Sequence, residues 1–97
     1  MAAYAIAGIE VTEPEVYAAY ARGVPATLEP YGGGFVVRGG ALEVIEGQWP
    51  AARTVILSFP SVEQAHAWYE SEAYQALRPI RHRHARTDFL VIVEGAA

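Results

Sequence analysis

The first predicted strand of this 97-residue chain carries apolar side chains on both of its faces, and the other strands do the same. Within residues 4–11, Tyr4 and Ile6 lie on one side, and Ile9 and Val11 lie on the other. A sheet face in contact with water normally shows alternating polar residues, which these strands lack. Both faces of the sheet must therefore be covered, and this requirement limits the folds that are possible.

The first helix is predicted to begin at a capping box formed by Thr12 and Glu15, with Pro14 tolerated in the first turn. Apolar residues then recur at helical spacing as far as about residue 29. Gly23 and Pro25 should bend this helix without ending its apolar face.

A second helix is predicted after Ser61, because Ser61 and Gln64 form another capping box. Ser71 offers a further cap, so a short third helix that carries Tyr74 should follow. Pro79 is expected to end this third helix, since proline lacks an N–H donor and disfavours helical angles at the preceding residue.

Between the first two helices, the sequence predicts a hairpin with a long arm. Residues 35–46 are interpreted as a strand with a bulge at Gly39-Gly40, and residues 53–59 as its antiparallel return strand. The arm is expected to contact the partner subunit in a dimer. The last strand is predicted at residues 87–94.

The element order βαββαβ predicts an α+β, ferredoxin-like fold in a single domain, residues 1–97. Right-handed crossovers place the helices on one face of a four-stranded antiparallel sheet. The other face stays bare and apolar, so we expect a homodimer formed by sheet-to-sheet packing, a dimeric α+β barrel, with Val55 and Val91 at the interface. A monomer with an unusually apolar surface is the alternative.

Composition and charge exclude several function classes. The net charge is -4, whereas nucleic-acid binding needs a positive surface. No apolar run approaches the roughly 20 residues that span a bilayer, and the chain does not start like a signal peptide, so we expect a cytoplasmic protein without a membrane partner. The absence of cysteine excludes disulfides, thiol nucleophiles and zinc-thiolate sites.

Three charged residues, Arg38, Glu46 and Arg53, are predicted to lie on adjacent strands of the hairpin. There they can form a cross-strand ion pair, or the arginines can present a guanidinium fork to a carboxylate ligand. An ion pair that only ties sheet edges together contributes about 0–1 kcal/mol at a surface. Both roles remain open.

Aromatic residues on the helices are aimed at the sheet, where most such side chains fill the core. Tyrosine hydroxyls beside an arginine would nevertheless form a polar corner in an apolar cleft, the usual anatomy of a small-molecule site. Trp49 lies in a turn, where it caps a pocket or packs across a subunit interface. No residue is assigned a catalytic role. The candidate ligand contacts are Tyr17, Arg38, Glu46, Trp49, Arg53, Trp68 and Tyr69.

His82 and His84 could face one side of the backbone only if that backbone were extended. A metal site would also need a third ligand, and the neighbouring arginines would repel a cation, so we expect no metal. No haem or other cofactor is expected, because no histidine is clearly placed as a proximal ligand. The glycines at residues 32–34 lead into a strand, not into the helix that a phosphate loop requires.

The chain resembles the domain of unknown function 1330 family over residues 4–95. The motifs that carry the resemblance are Tyr31-Gly32-Gly33, Arg38-Gly39-Gly40, Glu46-Gly47 with Trp49, Arg53, Phe59-Pro60-Ser61, Ala67-Trp68-Tyr69 and Ser71-Glu72-Ala73-Tyr74-Gln75. Gly34, where the family often has arginine, and Gln48 depart from the family pattern. The resemblance implies the ferredoxin-like dimeric α+β barrel but no established reaction. Its wider superfamily includes cofactor-free monooxygenases, lactone isomerases and haem-dependent members.

Two functions follow as hypotheses. The first is a cofactor-independent enzyme or binder for a small, partly aromatic or anionic metabolite, held between the sheet and its helices. The second is a non-catalytic dimerisation or interaction module, whose apolar sheet face is its functional surface. A cavity lined by Tyr17, Arg38, Trp49 and Trp68 would favour the first.

Overall fold

Four strands and three helices follow one another in the computed structural model, which describes residues 2–96. The elements are β1 (Ala3–Val11), α1 (Pro14–Leu28), β2 (Gly34–Arg38), β3 (Arg53–Phe59), α2 (Val62–Glu70), α3 (Glu72–His84) and β4 (Ala85–Glu94), with a 3-10 turn at Glu29–Tyr31. The predicted domain also included Met1 and Ala97, which lie outside the described residues.

The sheet has the strand order β2-β3-β1-β4, and each neighbouring pair is antiparallel. Because β1 and β2 are not neighbours, α1 connects them across β3, while α2 and α3 together connect β3 to β4. This topology confirms the predicted α+β, ferredoxin-like fold.

Serine hydroxyls fix the starts of the second and third helices, as predicted. Ser61 Oγ accepts a hydrogen bond from the backbone N–H of Gln64 at 3.1 Å, and Ser71 Oγ accepts one from the backbone N–H of Tyr74 at 3.2 Å. The Ser71 hydroxyl also donates to the Trp68 carbonyl at 2.6 Å. One side chain therefore satisfies backbone groups at the end of α2 and at the start of α3.

The predicted capping box at Thr12 is wrong. Glu13 is the N-cap of α1, and its side chain makes no capping hydrogen bond. Instead, the backbone N–H groups of Thr12 and Glu13 donate to the carbonyl of His84, at 3.0 and 3.3 Å. A tertiary contact with the end of α3 therefore replaces the local cap.

The helix α3 passes through Pro79 and ends only at His84, so the prediction that Pro79 ends it is wrong. Proline removes one backbone hydrogen bond, but the helix buries a face that offsets this loss. Tyr74 and Arg81, two turns apart on that face, are only 1% and 3% exposed. Tertiary packing therefore outweighs the local preference.

The predicted long arm is wrong beyond Arg38. The strand β2 ends there, and Gly39 turns the chain with a φ of +72°, a left-handed conformation that glycine adopts easily. The irregular strand pairing lies between Phe35 and Val37, not at Gly39-Gly40. Residues 40–52 contain no strand and are here called the exposed loop. Large apolar side chains on this loop are open to solvent, namely Leu42, Val44, Ile45 and Trp49.

The three helices cover one face of the sheet, here called the inner face, and the buried core lies beneath them. Alternate β3 residues, including Leu57 and Phe59, point into this core. Val55 packs against the same core, so the prediction that it faces a partner subunit is wrong. A shift by one residue would have placed it on the opposite face.

The opposite, outer face of the sheet is apolar and largely uncovered. Val37, Ile56, Ile6 and Val91 stand opposite one another in register and form a row across all four strands. The end of the exposed loop covers one part of this face, where the Trp49 and Phe89 rings pack edge to face, with centroids 5.1 Å apart.

Replacing Pro79 by alanine should raise the free energy of unfolding, because alanine restores the N–H donor and favours the helix by up to ~3 kcal/mol. Pro79 is exposed, so little packing is lost. Urea unfolding followed by circular dichroism measures the change. Pro14→Ala is the matched control, since Pro14 lies in the first turn of α1, where proline is tolerated. A less stable Pro79→Ala variant would contradict this account of α3.

Candidate functional site

A partly enclosed cavity lies between the inner face of the sheet and the helices, and we call it the inner cavity. Its volume is about 40 Å³. A water molecule needs roughly 10–15 Å³ of such space, so the cavity has room for a few waters. Apolar side chains form most of the wall, namely Ala5, Ala7, Ile9, Ala21, Val24, Phe35, Val55, Leu57 and Leu90. The other lining residues are Tyr17, Tyr20, Trp68, Tyr74, Arg38, Arg53 and Arg81.

The cavity exists because the central strand β1 presents small side chains to the helices. Ala5 and Ala7 line its floor. Above them, Trp68 packs against Phe59 and Tyr74, with ring centroids 5.5 and 4.2 Å apart. Large rings that contact one another above small residues leave a space that no side chain fills, which is unusual in a well-packed interior.

The charged groups at the inner cavity are cations, and no aspartate or glutamate within residues 2–96 lines it. Arg53 Nε and Arg81 Nε are buried, and neither atom has a hydrogen-bond partner within residues 2–96. Arg81 is only 3% exposed, and its guanidinium contacts His82 Nε2 at 3.1 Å. Buried charges in proteins are normally paired, so these two donors are suited to an anion.

The other cavity arginine is already held by the protein. Arg38 lies at the rim, where its Nη2 donates to the Ala21 carbonyl at 3.1 Å and its guanidinium lies 4.3 Å from the centre of the Phe35 ring. Arg53, at the start of β3, needs room that Gly39 provides, because a Cβ atom at Gly39 would collide with its guanidinium. Arg38 thus contacts a carbonyl and a ring, whereas Arg53 keeps an Nε that has no hydrogen-bond partner within residues 2–96.

Three buried tyrosines bring hydroxyl groups to the cavity wall. The hydroxyls of Tyr20 and Tyr74 are 2.8 Å apart and share a hydrogen bond. Burial raises the pKa of Tyr17, Tyr20 and Tyr74 above the ordinary value, although positive charge opposes this rise, chiefly that of Arg53 at Tyr17 and that of Arg81 at Tyr20 and Tyr74. All three therefore stay protonated at neutral pH and serve as hydrogen-bonding groups, not as bases.

Four of the seven candidate residues meet at the inner cavity, namely Tyr17, Arg38, Arg53 and Trp68. Glu46 and Trp49 lie on the exposed loop instead, and Trp49 Nε1 donates to Thr54 Oγ1 at 2.8 Å. Within the described chain Glu46 forms no ion pair, so the cross-strand ion pair, one of the two roles left open for it, is not formed. The reason is the turn at Gly39, which takes the chain away from the path that would place Glu46 beside β3.

The remaining candidate, Tyr69, lies at a second and more open space between α2, the last turn of α3 and β4. This outer cleft has a volume of about 570 Å³ and is lined by His66, Tyr69, Glu70, Arg81, His82, Thr87, Leu90 and Ile92. The Tyr69 hydroxyl accepts a hydrogen bond from Arg78 at 3.2 Å. Tyr69 therefore belongs to the outer cleft, not to the wall of the inner cavity.

The two neighbouring histidines lie in the last turn of α3, where helical geometry points them in different directions. His84 Nδ1 contacts the Glu13 carboxylate at 2.9 Å, whereas His82 contacts Arg81. In residues 2–96, no three histidine, aspartate or glutamate side chains are grouped closely enough to hold a metal ion.

Arg81 is not among the site residues predicted from the sequence, because the third helix is predicted to end at Pro79. The sequence does contain a pattern that indicates Arg81, since this residue follows Tyr74 by two helical turns. An uninterrupted helix places both side chains on one face. Whether the helix continues past Pro79 depends on whether the packing of that face offsets the hydrogen bond that proline removes, and this packing is visible only in the tertiary structure.

Other proteins resemble this chain in sequence over nearly its full length. The model of the family described as "Domain of unknown function (DUF1330)" matches residues 2–96. The chain belongs to the DUF1330 family. This match confirms the resemblance that its motifs indicated. No curated protein matches the chain.

Solved structures resemble this DUF1330 protein at low sequence identity. A protein of unknown function from Rhodopseudomonas palustris is 18% identical with a TM-score of 0.73, over 99% of this chain and 83% of that one. HapK from Hahella chejuensis is 14% identical with a TM-score of 0.62, over 98% and 93%. SnoaB, described as a cofactor-independent oxygenase from Streptomyces nogalater, is 6% identical with a TM-score of 0.66, over 99% and 94%. At these identities the likeness shows the fold alone.

Within residues 2–96, no helix has both the length and the apolar character needed to cross a membrane. The cytoplasmic location stays a prediction.

The raised pKa values of the three buried tyrosines predict a loss of stability in alkali. Above about pH 10, where tyrosines of the unfolded chain ionise, the folded protein binds more protons than the unfolded chain. The free energy of unfolding should therefore fall as the pH rises from about 10 toward the folded-state pKa values. Urea unfolding at a series of pH values, with phenolate absorbance recorded in parallel, measures this fall.

The double variant Tyr20→Phe, Tyr74→Phe should flatten this dependence, because it removes both hydrogen-bonded hydroxyls together. Tyr4→Phe is the control, since it leaves all three buried hydroxyls in place. An equally steep fall in the double variant would contradict the assignment.

Proposed function

We propose that this DUF1330 protein is a homodimer that binds, or transforms without a cofactor, a small, partly aromatic and anionic metabolite in the inner cavity. The observation that carries the proposal is the pair of buried, unpartnered Nε atoms of Arg53 and Arg81, beside a cavity that no acidic residue in 2–96 lines. We assign neither a reaction nor a catalytic residue.

The groups around the cavity favour a carboxylate or another planar anion. A guanidinium presents N–H donors that match carboxylate oxygens, and a charge-assisted hydrogen bond contributes about 1.5–3 kcal/mol. Trp68 and Tyr74 provide ring surfaces for a flat apolar body. The fold is shared with SnoaB, whose description as a cofactor-independent oxygenase fits a cavity that works without a bound group.

The outer sheet face supports the homodimer in this proposal. Its apolar row crosses all four strands, and both Val91 and Val93 are 46% exposed. Large contiguous apolar patches are uncommon on monomers. A second copy of the chain presents the same apolar face, so two sheets can cover each other about a twofold axis.

Replacing Arg53 by methionine should weaken the binding of an aromatic carboxylate by about 1.5–3 kcal/mol, because the ligand loses its charge-assisted contact. Stability should not fall, since methionine removes a partly buried, unpaired charge and keeps similar bulk. Benzoate and larger aromatic acids serve as probes, with Trp68 emission for titration and thermal melting for stability.

Arg86→Met is the matched control for Arg53→Met, because Arg86 is paired with Glu10 and Asp88 away from the cavity. Its loss should leave ligand affinity unchanged. A lower melting temperature for Arg53→Met, with unchanged affinity per folded molecule, would instead assign Arg53 a structural role.

Replacing Val91 by aspartate should split or unfold a dimer, because a dimer would bury this charge without a partner. Val16→Asp is the control, since Val16 on α1 is 43% exposed, close to the 46% of Val91. Size exclusion with light scattering measures the mass. A wild-type mass equal to the 10.5 kDa of one chain, at micromolar concentration, would refute the dimer.

An interaction module without a ligand is the second candidate function, and the exposed loop favours it. Ile45 is 79% exposed and Leu42 is 51% exposed, which is unusual for side chains of this size on an ordinary surface. If aromatic acids, quinones and lactones change neither the melting temperature nor the tryptophan emission, this candidate replaces the first.

A further inference from the structure

We propose that the outer cleft is the anion-binding entrance of the inner cavity, and that Arg81 and Leu90 form the wall between the two spaces. The supporting observation is that both side chains line the inner cavity and the outer cleft. Residues that line two adjacent spaces lie between them, so rotation of the Arg81 or Leu90 side chain would join the spaces without a change in the backbone.

The size of the inner cavity makes such an opening necessary. The cavity measures about 40 Å³, whereas a cavity that admits benzene measures roughly 150 Å³. The outer cleft, at about 570 Å³, is large enough for a metabolite and is open to solvent. An aromatic ligand therefore enters the cleft first and reaches the cavity when the shared wall moves aside.

The chemistry of the cleft selects an anion. Arg81 is 3% exposed and has an unpartnered Nε, and the buried Thr87 Oγ1 that lines the same cleft also has no partner within residues 2–96. A guanidinium N–H and a hydroxyl together match the two oxygens of a carboxylate. The cleft thus has two buried donors in its wall, which a small carboxylate would reach when the shared wall moves, with its apolar part on Leu90.

The other charged groups at the cleft do not cancel this preference. His82 Nε2 accepts a hydrogen bond from Arg81, so the ring is neutral in this arrangement. Partial burial, and then the charges of Arg81 and Arg78, lower the pKa of His82. Glu70 also lines the cleft, and its charge helps to raise the pKa of Arg78, after the larger effect of the Tyr69 hydroxyl, so a cation lies near this carboxylate as well. Arg81 therefore keeps its attraction for an incoming anion.

The entrance rests on the proposed function only for the identity of the metabolite, because entry of small solutes can be measured without one. The reporter is Trp68, which lines the inner cavity and is 2% exposed. Trp49→Phe leaves it as the sole tryptophan, since the chain has 2. Acrylamide, iodide and caesium then serve as neutral, anionic and cationic quenchers. If these solutes enter as expected while no metabolite binds, only the proposed function fails.

In this background, Leu90→Ala should increase the acrylamide quenching constant of Trp68 at least about twofold, because truncation opens the shared wall. Leu57→Ala is the matched control, since Leu57 lines the cavity but not the cleft. Equal increases in the two variants would show that quenching follows general loosening of the core. That result would refute the proposal that the outer cleft is the entrance to the inner cavity.

With each quenching constant divided by that of free N-acetyltryptophanamide, iodide should quench Trp68 more strongly than caesium at constant ionic strength, although the net charge of -4 by itself favours the cation. Arg81→Gln should remove this preference, Arg81→Lys should keep much of it, and Arg86→Gln, away from the cavity, should leave it unchanged. If Arg81→Gln does not fold, the iodide-to-caesium ratio measured with intact Arg81 still tests whether the entrance prefers anions. A ratio below one, or one that Arg86→Gln alone abolishes, would overturn the assignment of Arg81.

Discussion

The arrangement of this domain depends on the burial of one indole ring. Trp68 Nε1 donates to Thr27 Oγ1 at 3.0 Å, and the Thr27 hydroxyl in turn donates to the Val24 carbonyl at 2.7 Å. The same indole packs against Phe59 of the sheet and Tyr74 of α3. One satisfied polar group and its ring contacts thus tie all three helices to β3 and hold them above the small residues of β1.

This arrangement leaves a mostly apolar space whose charged lining residues, within 2–96, are arginines. An unpaired buried guanidinium disfavours the folded state, and a well-packed apolar side chain in its place is often neutral or stabilising. Arg53 and Arg81 are consistent with a site in which a ligand supplies the missing negative charge. Anion binding would then stabilise the folded protein in proportion to ligand concentration and affinity.

The charged side chains on the two faces of the sheet differ in whether they are paired with a carboxylate. On the outer side, Arg86 is paired with Glu10 and Asp88, with nitrogen-to-oxygen distances of 3.4 and 3.1 Å. On the inner side, no carboxylate in residues 2–96 lines the cavity beside Arg53 and Arg81. Paired charges and an apolar row suit a surface that meets another protein, whereas unpaired cations around a cavity suit a small anion.

The sequence by itself determined the serine caps of α2 and α3, because these depend on local hydrogen bonding. It also determined the strand-helix order and the membership of Tyr17 and Trp68 in one aromatic layer, because these follow from the spacing of apolar residues. Only the tertiary structure decided that α3 continues past Pro79 and buries Arg81, and that Gly39 turns the chain so that Glu46 and Trp49 lie away from the cavity. At Pro79 a local preference competed with the burial of a distant face, and at Gly39 a glycine pair that suits either a bulge or a turn left the path of the chain open. Both outcomes depend on contacts between segments far apart in the chain, which no local pattern records.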